Sequence, residues 1–283
     1  MRLAERARLL GKRQRQLGVK MKIEVLISTM NEDSIDCYKR FNLETDALII
    51  NQTDKNAYEE IDTGNFKVRM ISTDTRGLGV SRNLAILNSR ADVLVFADDD
   101  EVLESGYSKA IIDEFAAHPD VDFFIFKTII YLNAKEIVKV KEEKDLKLYN
   151  SLRYGSVHFV FKKDSIIRNN ISVSTYFGAG TNNGSGEDSL FLRDSFKAGL
   201  KIRTSTRLLA RVYNDNSTWF AGYDEKFFID KGKLAKALFP RTYILYIEQF
   251  LFRHKEMTED IDIKKARKLM LRGAKKFGGE NGE

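Results

Sequence analysis

Hydrophobic residues in the first hundred positions gather into short runs, each ended by polar side chains. Lys22 to Ser28 (KIEVLIS) gives way to Thr29-Met30-Asn31-Glu32-Asp33, and Asp46 to Gln52 (DALIINQ) closes on Asn51-Gln52-Thr53-Asp54. Lys67 to Ser72 (KVRMIS) is followed by Thr75 to Asn83, and Val93 to Phe96 by Asp98-Asp99-Asp100. The run Val93 to Phe96, with no clean alternation, is how a strand buried on both faces of a parallel sheet reads. A helix is predicted from about Ser81 to Ser89, between the third and fourth runs. The order strand, polar loop, helix, strand predicts an α/β fold with its polar loops on one edge of the sheet.

The remaining pattern is more varied. Tyr107 to His118 predicts an amphipathic helix with Ala110, Ile111, Phe115 and Ala116 on one side. Val121 to Leu132 and Glu136 to Val140 predict a hairpin turning at Asn133-Ala134, and Val157 to Phe161 a further strand. Phe177 to Gly186 (FGAGTNNGSG) reads as a loop too polar to pack. It runs into a helix over Glu187 to Ala198 that Gly199 closes. Arg207 to Tyr213 is the last expected strand, and beyond Asp230 the chain reads as helical, with Thr242 to Arg253 (TYILYIEQFLFR) strongly apolar. The expected organisation is a basic arm or helix over 1–20, a main domain over 21–230 and a helical region over 231–283. The main domain divides into halves at 21–104 and 105–230.

Length and composition leave room for a large core: 283 residues, 43% hydrophobic, with only 2 prolines. Cys37 is the single cysteine, which excludes an intrachain disulfide or a cysteine zinc site and suits a reducing cytoplasm. The first twenty residues carry seven basic side chains against Glu5 alone, and Lys231 to the end carries 13 basic and 7 acidic ones. Each end is thus +6, and with +6 overall the body between them is −6. Basic ends around an acidic body suit a metal-using core whose flanks are attracted to anionic lipid or another acidic partner. No secretory leader is expected, and no run approaches the roughly 20 apolar residues of a membrane span.

The chemistry concentrates in two acidic centres. Asp98, Asp99 and Asp100 crowd three carboxylates at a strand end, where a hard divalent cation, Mg²⁺ or Mn²⁺, would neutralise them. A solvated acidic turn is the plainer reading. Glu187 and Asp188 open a helix after the glycine loop, either as an N-terminal cap or as a general base at the mouth of a pocket. Between the two, Gly77 and Gly79 precede a helix start, where backbone can approach an anionic group and Arg76 and Arg82 can pair with phosphate. It is neither a Walker loop nor a full Gly-x-Gly-x-x-Gly, because Arg82 stands where the third glycine would be. His158 reads as structural, and no partner is visible for His118 or His254.

These segments resemble glycosyltransferase family 2. Ser28-Thr29-Met30-Asn31-Glu32 is similar to the family's opening run, and Gly77-Leu78-Gly79-Val80-Ser81-Arg82-Asn83 to its Gly-x-x-x-Ala/Ser-Arg-Asn segment. Phe96 to Asp100 resembles its Asp-x-Asp motif, and Gly186-Glu187-Asp188 with Phe191 and Ala198 to Ile202 its Glu-Asp helix. The matches keep their order over Lys22 to Tyr213. The resemblance implies a GT-A fold: a Rossmann-like, mostly parallel sheet flanked by helices, here with a C-terminal helical extension. It implies inverting transfer of one sugar from a nucleotide-diphospho-sugar, a UDP-sugar first, to a hydroxyl of a saccharide or lipid-linked glycan, as in polysaccharide biosynthesis. Asp98 and Asp100 would hold the metal, with Asp98 and Asp99 also at the donor. Thr29, Asn31, Asn51, Gln52, Arg76 and Arg82 would lie along the nucleotide, and Asp188, or else Glu187, would be the base.

The departures are specific. Asn51-Gln52 stands where the family commonly has an Asp that reads the base. The Gln-x-x-Arg-Trp motif of processive synthases is absent, which favours single transfers. Trp219 is the only tryptophan and either lines the acceptor site or serves the core. The aromatic, basic tail either lies on an anionic membrane at the cytoplasmic face, packs back on the body, or forms a homodimer. A sugar nucleotidyltransferase would need a basic glycine loop behind the first strand, which Ser28 to Asp33 lacks. A nucleic-acid-binding protein would carry its positive charge on the folded body, and this body is acidic.

Overall fold

The structure, a computed structural model, describes residues 21–133, 135–213, 222–259 and 261–280. The expected basic arm over 1–20 lies outside these residues. β1 (Ile23–Met30) and β2 (Asp46–Gln52) pair in parallel, and β3 (Ala57–Asp62) is an antiparallel edge to β4 (Lys67–Thr73). β4 adds to β2 in parallel, and β5 (Val93–Asp98) lies on the other side of β1. This block, β4-β2-β1-β5, is the parallel sheet that the apolar runs predict.

The second block is mixed. β6 (Glu101–Leu103), β7 (Phe123–Leu132), β8 (Lys135–Val138), β9 (Phe159–Lys162) and β10 (Ile202–Tyr213) complete it. Among the described residues the order is β3-β4-β2-β1-β5-β9-β7-β10-β6, with β8 on β7. β9 runs antiparallel to both β5 and β7, and β10 is parallel to β7 but slips register between Ser205 and Ala210. The hairpin between β7 and β8 forms, although Ala134 of its turn lies outside the described residues.

Alternation within each strand feeds a core on either face of the sheet. Val93, Val95 and Ala97 of β5 join Ile111 and Phe115 of one helix (Tyr107–Ala117) on one side. Leu94 and Phe96 join Ala85 and Ile86 of α1 (Leu78–Asn88) on the other. There Phe96, Phe123, Phe159 and Phe161 all pack against Phe191 of α2 (Glu187–Lys197), the helix opened by the second acidic centre. The core thereby fixes both acidic centres to one cluster of rings.

Among the described residues three α-helices follow: α3 (Glu225–Leu238), α4 (Tyr243–Arg253) and α5 (Ile263–Glu280). Phe228, Ile247, Leu251, Ala266 and Met270 form their own core. α3 and α5 cross at backbone distance, because a Cβ on Gly232 would lie 1.9 Å from the Met270 carbonyl oxygen and one on Gly273 equally close to that of Ile229. Of the aromatic tail, Tyr246 and Phe250 pack inward beside the buried Ile247 and Leu251, while Leu245 and Phe252 stay exposed.

Candidate functional site

β1, β2, β4 and β5 all end on one edge, with Ser28 opposite Asp98 and Met30 opposite Gln52. A cleft of about 450 Å³ opens there, lined by Asn31, Glu32, Asn51, Asp54, Lys55 and Ser72 among others. Asn51 is buried, and its amide oxygen accepts from the Glu32 N–H at 3.0 Å while its NH₂ donates to the Glu32 carbonyl at 2.9 Å. Gln52 donates to the carbonyls of Thr75 and Gly77. Both side chains, expected along a nucleotide, hold the loops that shape the cleft. The Thr29 hydroxyl sits 3.0 Å from Glu32 and 3.4 Å from Asp99. Arg40 grips Glu32 with both terminal nitrogens and holds its carboxyl below the usual range against the opposing effect of burial.

The glycine-rich turn before α1 differs from its expected role. A Cβ on Gly79 would meet the Ser174 carbonyl oxygen at 2.1 Å, and one on Gly180 the Gly77 Cα at 2.9 Å. The Leu78 N–H, at the helix start, donates to the Ala179 carbonyl at 3.0 Å. These glycines therefore admit another stretch of the chain itself. Correspondingly, the Phe177–Gly186 segment, expected to be too polar to pack, packs closely: Asn183 and Phe177 are buried. Its polar groups are satisfied by Thr181, the Tyr176 carbonyl, and Asp230 and Lys233 of α3. Arg76 lies exposed and donates to the Thr53 and Thr75 carbonyls.

Arg82, from the second turn of α1, is 2% exposed and stands between the two acidic centres. One terminal nitrogen reaches Asp98 at 2.9 Å, and the other reaches Asp188 at 2.9 Å. Glu187 lies farther, at 3.9 Å. Burial disfavours the guanidinium charge, but Asp98, Asp188 and Glu187 outweigh it and raise its pKa above the ordinary value. Ser156, which the sequence pattern did not single out, completes the bridge. Its hydroxyl accepts from Arg82 at 2.5 Å and its N–H donates to Asp188 at 3.0 Å. Nothing but its polarity in a short turn before β9 could have signalled this.

Asp188 is pushed up to about 7, chiefly by burial, with Arg82 opposing and Glu187 adding to the rise. A carboxylate so placed can take a proton near neutral pH. Glu187 turns back to accept from the Gly186 N–H at 2.9 Å, a capping role. Beside them Arg153 stacks on Tyr154 at 4.9 Å and bonds its hydroxyl, and burial lowers the Lys139 pKa while the Asp188 charge opposes that. Trp219 lies outside the described residues.

In the acidic triplet, burial and the charges of Asp98 and Asp99 push Asp100 up to about 6. Burial and Asp98 raise Asp99, and Glu101, buried behind them, is raised well above the ordinary value by burial and then Asp98. Glu101 accepts from the Asp98 N–H at 3.0 Å, which fixes the turn. Among the described residues no group of three or more His, Cys, Asp or Glu is arranged as a metal centre. The triplet nonetheless fits a hard cation: its donors are carboxylate oxygens, and the crowding that raises Asp100 is what a cation relieves.

Solved structures similar to this chain include S. aureus TarS, with a TM-score of 0.60 at 15% identity over 87% of this chain and 46% of that one. The chain therefore spans under half of that TarS chain. TarS 1–349 matches at 0.57 and 14% identity, over 93% of this chain and 92% of that one. Its complex with UDP-GlcNAc matches at 0.57 and 14%, over 93% of each. The likeness establishes a GT-A-type fold, a central sheet flanked by helices. Residues 48–177 match the family model described as "Glycosyl transferase family 2". No curated protein matches it.

Proposed function

We propose that this chain is an inverting glycosyltransferase that moves one sugar from a UDP-sugar to a hydroxyl of a saccharide or lipid-linked glycan, with Asp188 as general base. The observation that carries this reading is the Asp98–Arg82–Asp188 bridge, which holds a strand-end acid and a helix-start acid on one guanidinium. Donor and acceptor chemistry would then meet across Arg82. The cleft at the ends of β1, β2 and β4 would take the nucleoside, with Asn31 and Asn51 along it.

The acceptor hydroxyl gives its proton to the Asp188 carboxylate as its oxygen forms a bond to the anomeric carbon. The bond from that carbon to the diphosphate oxygen breaks on the opposite face, and its electron pair leaves with UDP. The configuration inverts because attack and departure are in line. Arg82 keeps Asp188 oriented, and burial keeps its pKa near the working pH. Asp100 and Asp98 would hold Mg²⁺ or Mn²⁺, which supplies positive charge beside the leaving diphosphate. Asp98 also serves Arg82, which leaves Asp100 the freer of the two.

Titration calorimetry with UDP, GDP and dTDP, with and without Mn²⁺, tests the reading on wild type and Asp100→Ala. We expect UDP to bind in a metal-dependent way and the variant to lose that dependence. Failure of every nucleotide to bind would overturn it.

A further inference from the structure

We propose that the outward face of α4 and α5 docks the protein on a membrane surface rich in anionic lipid headgroups. α5 carries seven Lys and Arg side chains from Ile263 to Phe277 and not one Asp or Glu. Its buried side, including Ala266, Leu269, Met270 and Ala274, is taken up by the bundle. Two of the cations are matched within the protein, Lys265 by Glu225 and Arg267 by Glu248. Lys264, Lys268, Arg272 and Lys275, spaced four, four and three residues apart, form one stripe with no ion pair among the described residues. Like charges at that spacing destabilise a helix unless an anionic partner relieves them. A groove of about 520 Å³ runs along the stripe.

The neighbouring helix supplies the apolar half of the face. Leu245 is 70% exposed and Phe252 73%, seven residues apart on α4. Glu248 lies between them on the same side and bonds Arg267 at 2.6 Å, so this apolar side borders the cationic stripe. The Lys255 ammonium stands 5.1 Å from the Phe252 ring centre, beside the same edge. A soluble polyanion would satisfy the cations and leave Leu245 and Phe252 in water. A bilayer surface satisfies both, with anionic headgroups for the stripe and the acyl boundary for the two apolar side chains. No helix among the described residues is long and apolar enough to cross a membrane, so this face would lie on the surface.

The inference does not depend on the donor or the base, since the face shares no residue with the cleft or with the Asp98–Arg82–Asp188 bridge. It is tested by flotation of the full chain with vesicles of phosphatidylcholine alone or with about a third phosphatidylglycerol. The account expects at least about tenfold tighter binding to the anionic vesicles, weakened as salt screens the headgroups. Lys264→Glu with Lys268→Glu should lose about tenfold or more, and Leu245→Ser with Phe252→Ser several-fold. All four positions are exposed, and an unchanged melting temperature would verify folding of each pair. Equal binding to both vesicles, indifference to the charge reversals, or binding of heparin with none to vesicles would each overturn the proposal.

Discussion

The proposed donor edge and the proposed acceptor side of this molecule are built in opposite ways. The donor edge comes from consecutive strand ends within the first hundred residues, with each loop placed by the strand before it. The acceptor side is assembled from distant pieces: Ser156, the Ser174–Gly186 segment, the start of α2 and the side of α3. Even Gly186, before the acidic pair, abuts Leu234 of α3, since a Cβ there would meet that side chain at 2.6 Å. A local edge tolerates change residue by residue; an assembled side depends on every piece. Arg82 joins the two.

Removing that joint should have the largest effect on stability. Arg82→Met leaves Asp98 and Asp188 without their shared cation, and breaking a buried pair on one side costs about 3–5 kcal/mol. Urea denaturation measures it, and a loss comparable to that of an exposed pair such as Lys109–Asp113 would show that the sides are not coupled through Arg82.

Gly79→Ala probes the assembled side alone. The new methyl would sit 2.1 Å from the Ser174 carbonyl oxygen, and overpacking of this kind costs about 1–3 kcal/mol. The same measurement applies, and a neutral substitution would mean that the 174–186 segment is not seated against α1.

The smallest effect is a pH dependence at His158, in the short turn that leads into β9. Burial, with repulsion from Lys139, lowers the His158 pKa to about 3, while its Nδ1–H donates to the Phe126 carbonyl at 2.9 Å. The unfolded chain takes up a proton below the ordinary 6.5 and the folded chain does not. Stability from this site is therefore full above that value and falls as pH drops toward 3, by about 2 kcal/mol between roughly pH 7.5 and pH 5. His158→Gln should remove that part of the slope in denaturation at the two pH values; an unchanged slope would contradict it.

The same contrast explains what the sequence disclosed. β2, bounded by Asp46 and Gln52, and the strand before Asp98 are visible because their signal is local: an apolar run and a sudden polar end. β3 is not visible, because an exposed edge strand such as AYEEID needs no apolar face, and β6 is only three residues long. β10 begins at Ile202, earlier than Arg207, since its register shift breaks the alternation. Gly77 and Gly79 suggested an anion because the chain that fills their space lies about a hundred residues away. Arg82 looked like a phosphate partner on position alone, and only its packing reveals the two carboxylates around it. Ser156 acts partly through its backbone N–H, a group every residue but proline carries, so no side-chain motif records it.

The central claim is that Asp188 takes the acceptor's proton, and the pH dependence of turnover tests it most directly. With its carboxyl near 7, the wild-type rate should fall about tenfold per pH unit below that value and level off above it. Asp188→Asn should lose about 10²–10⁴-fold in kcat, lose that limb of the profile, and keep its affinity for UDP. A variant that turns over at the wild-type rate with the same profile would show that the base lies elsewhere.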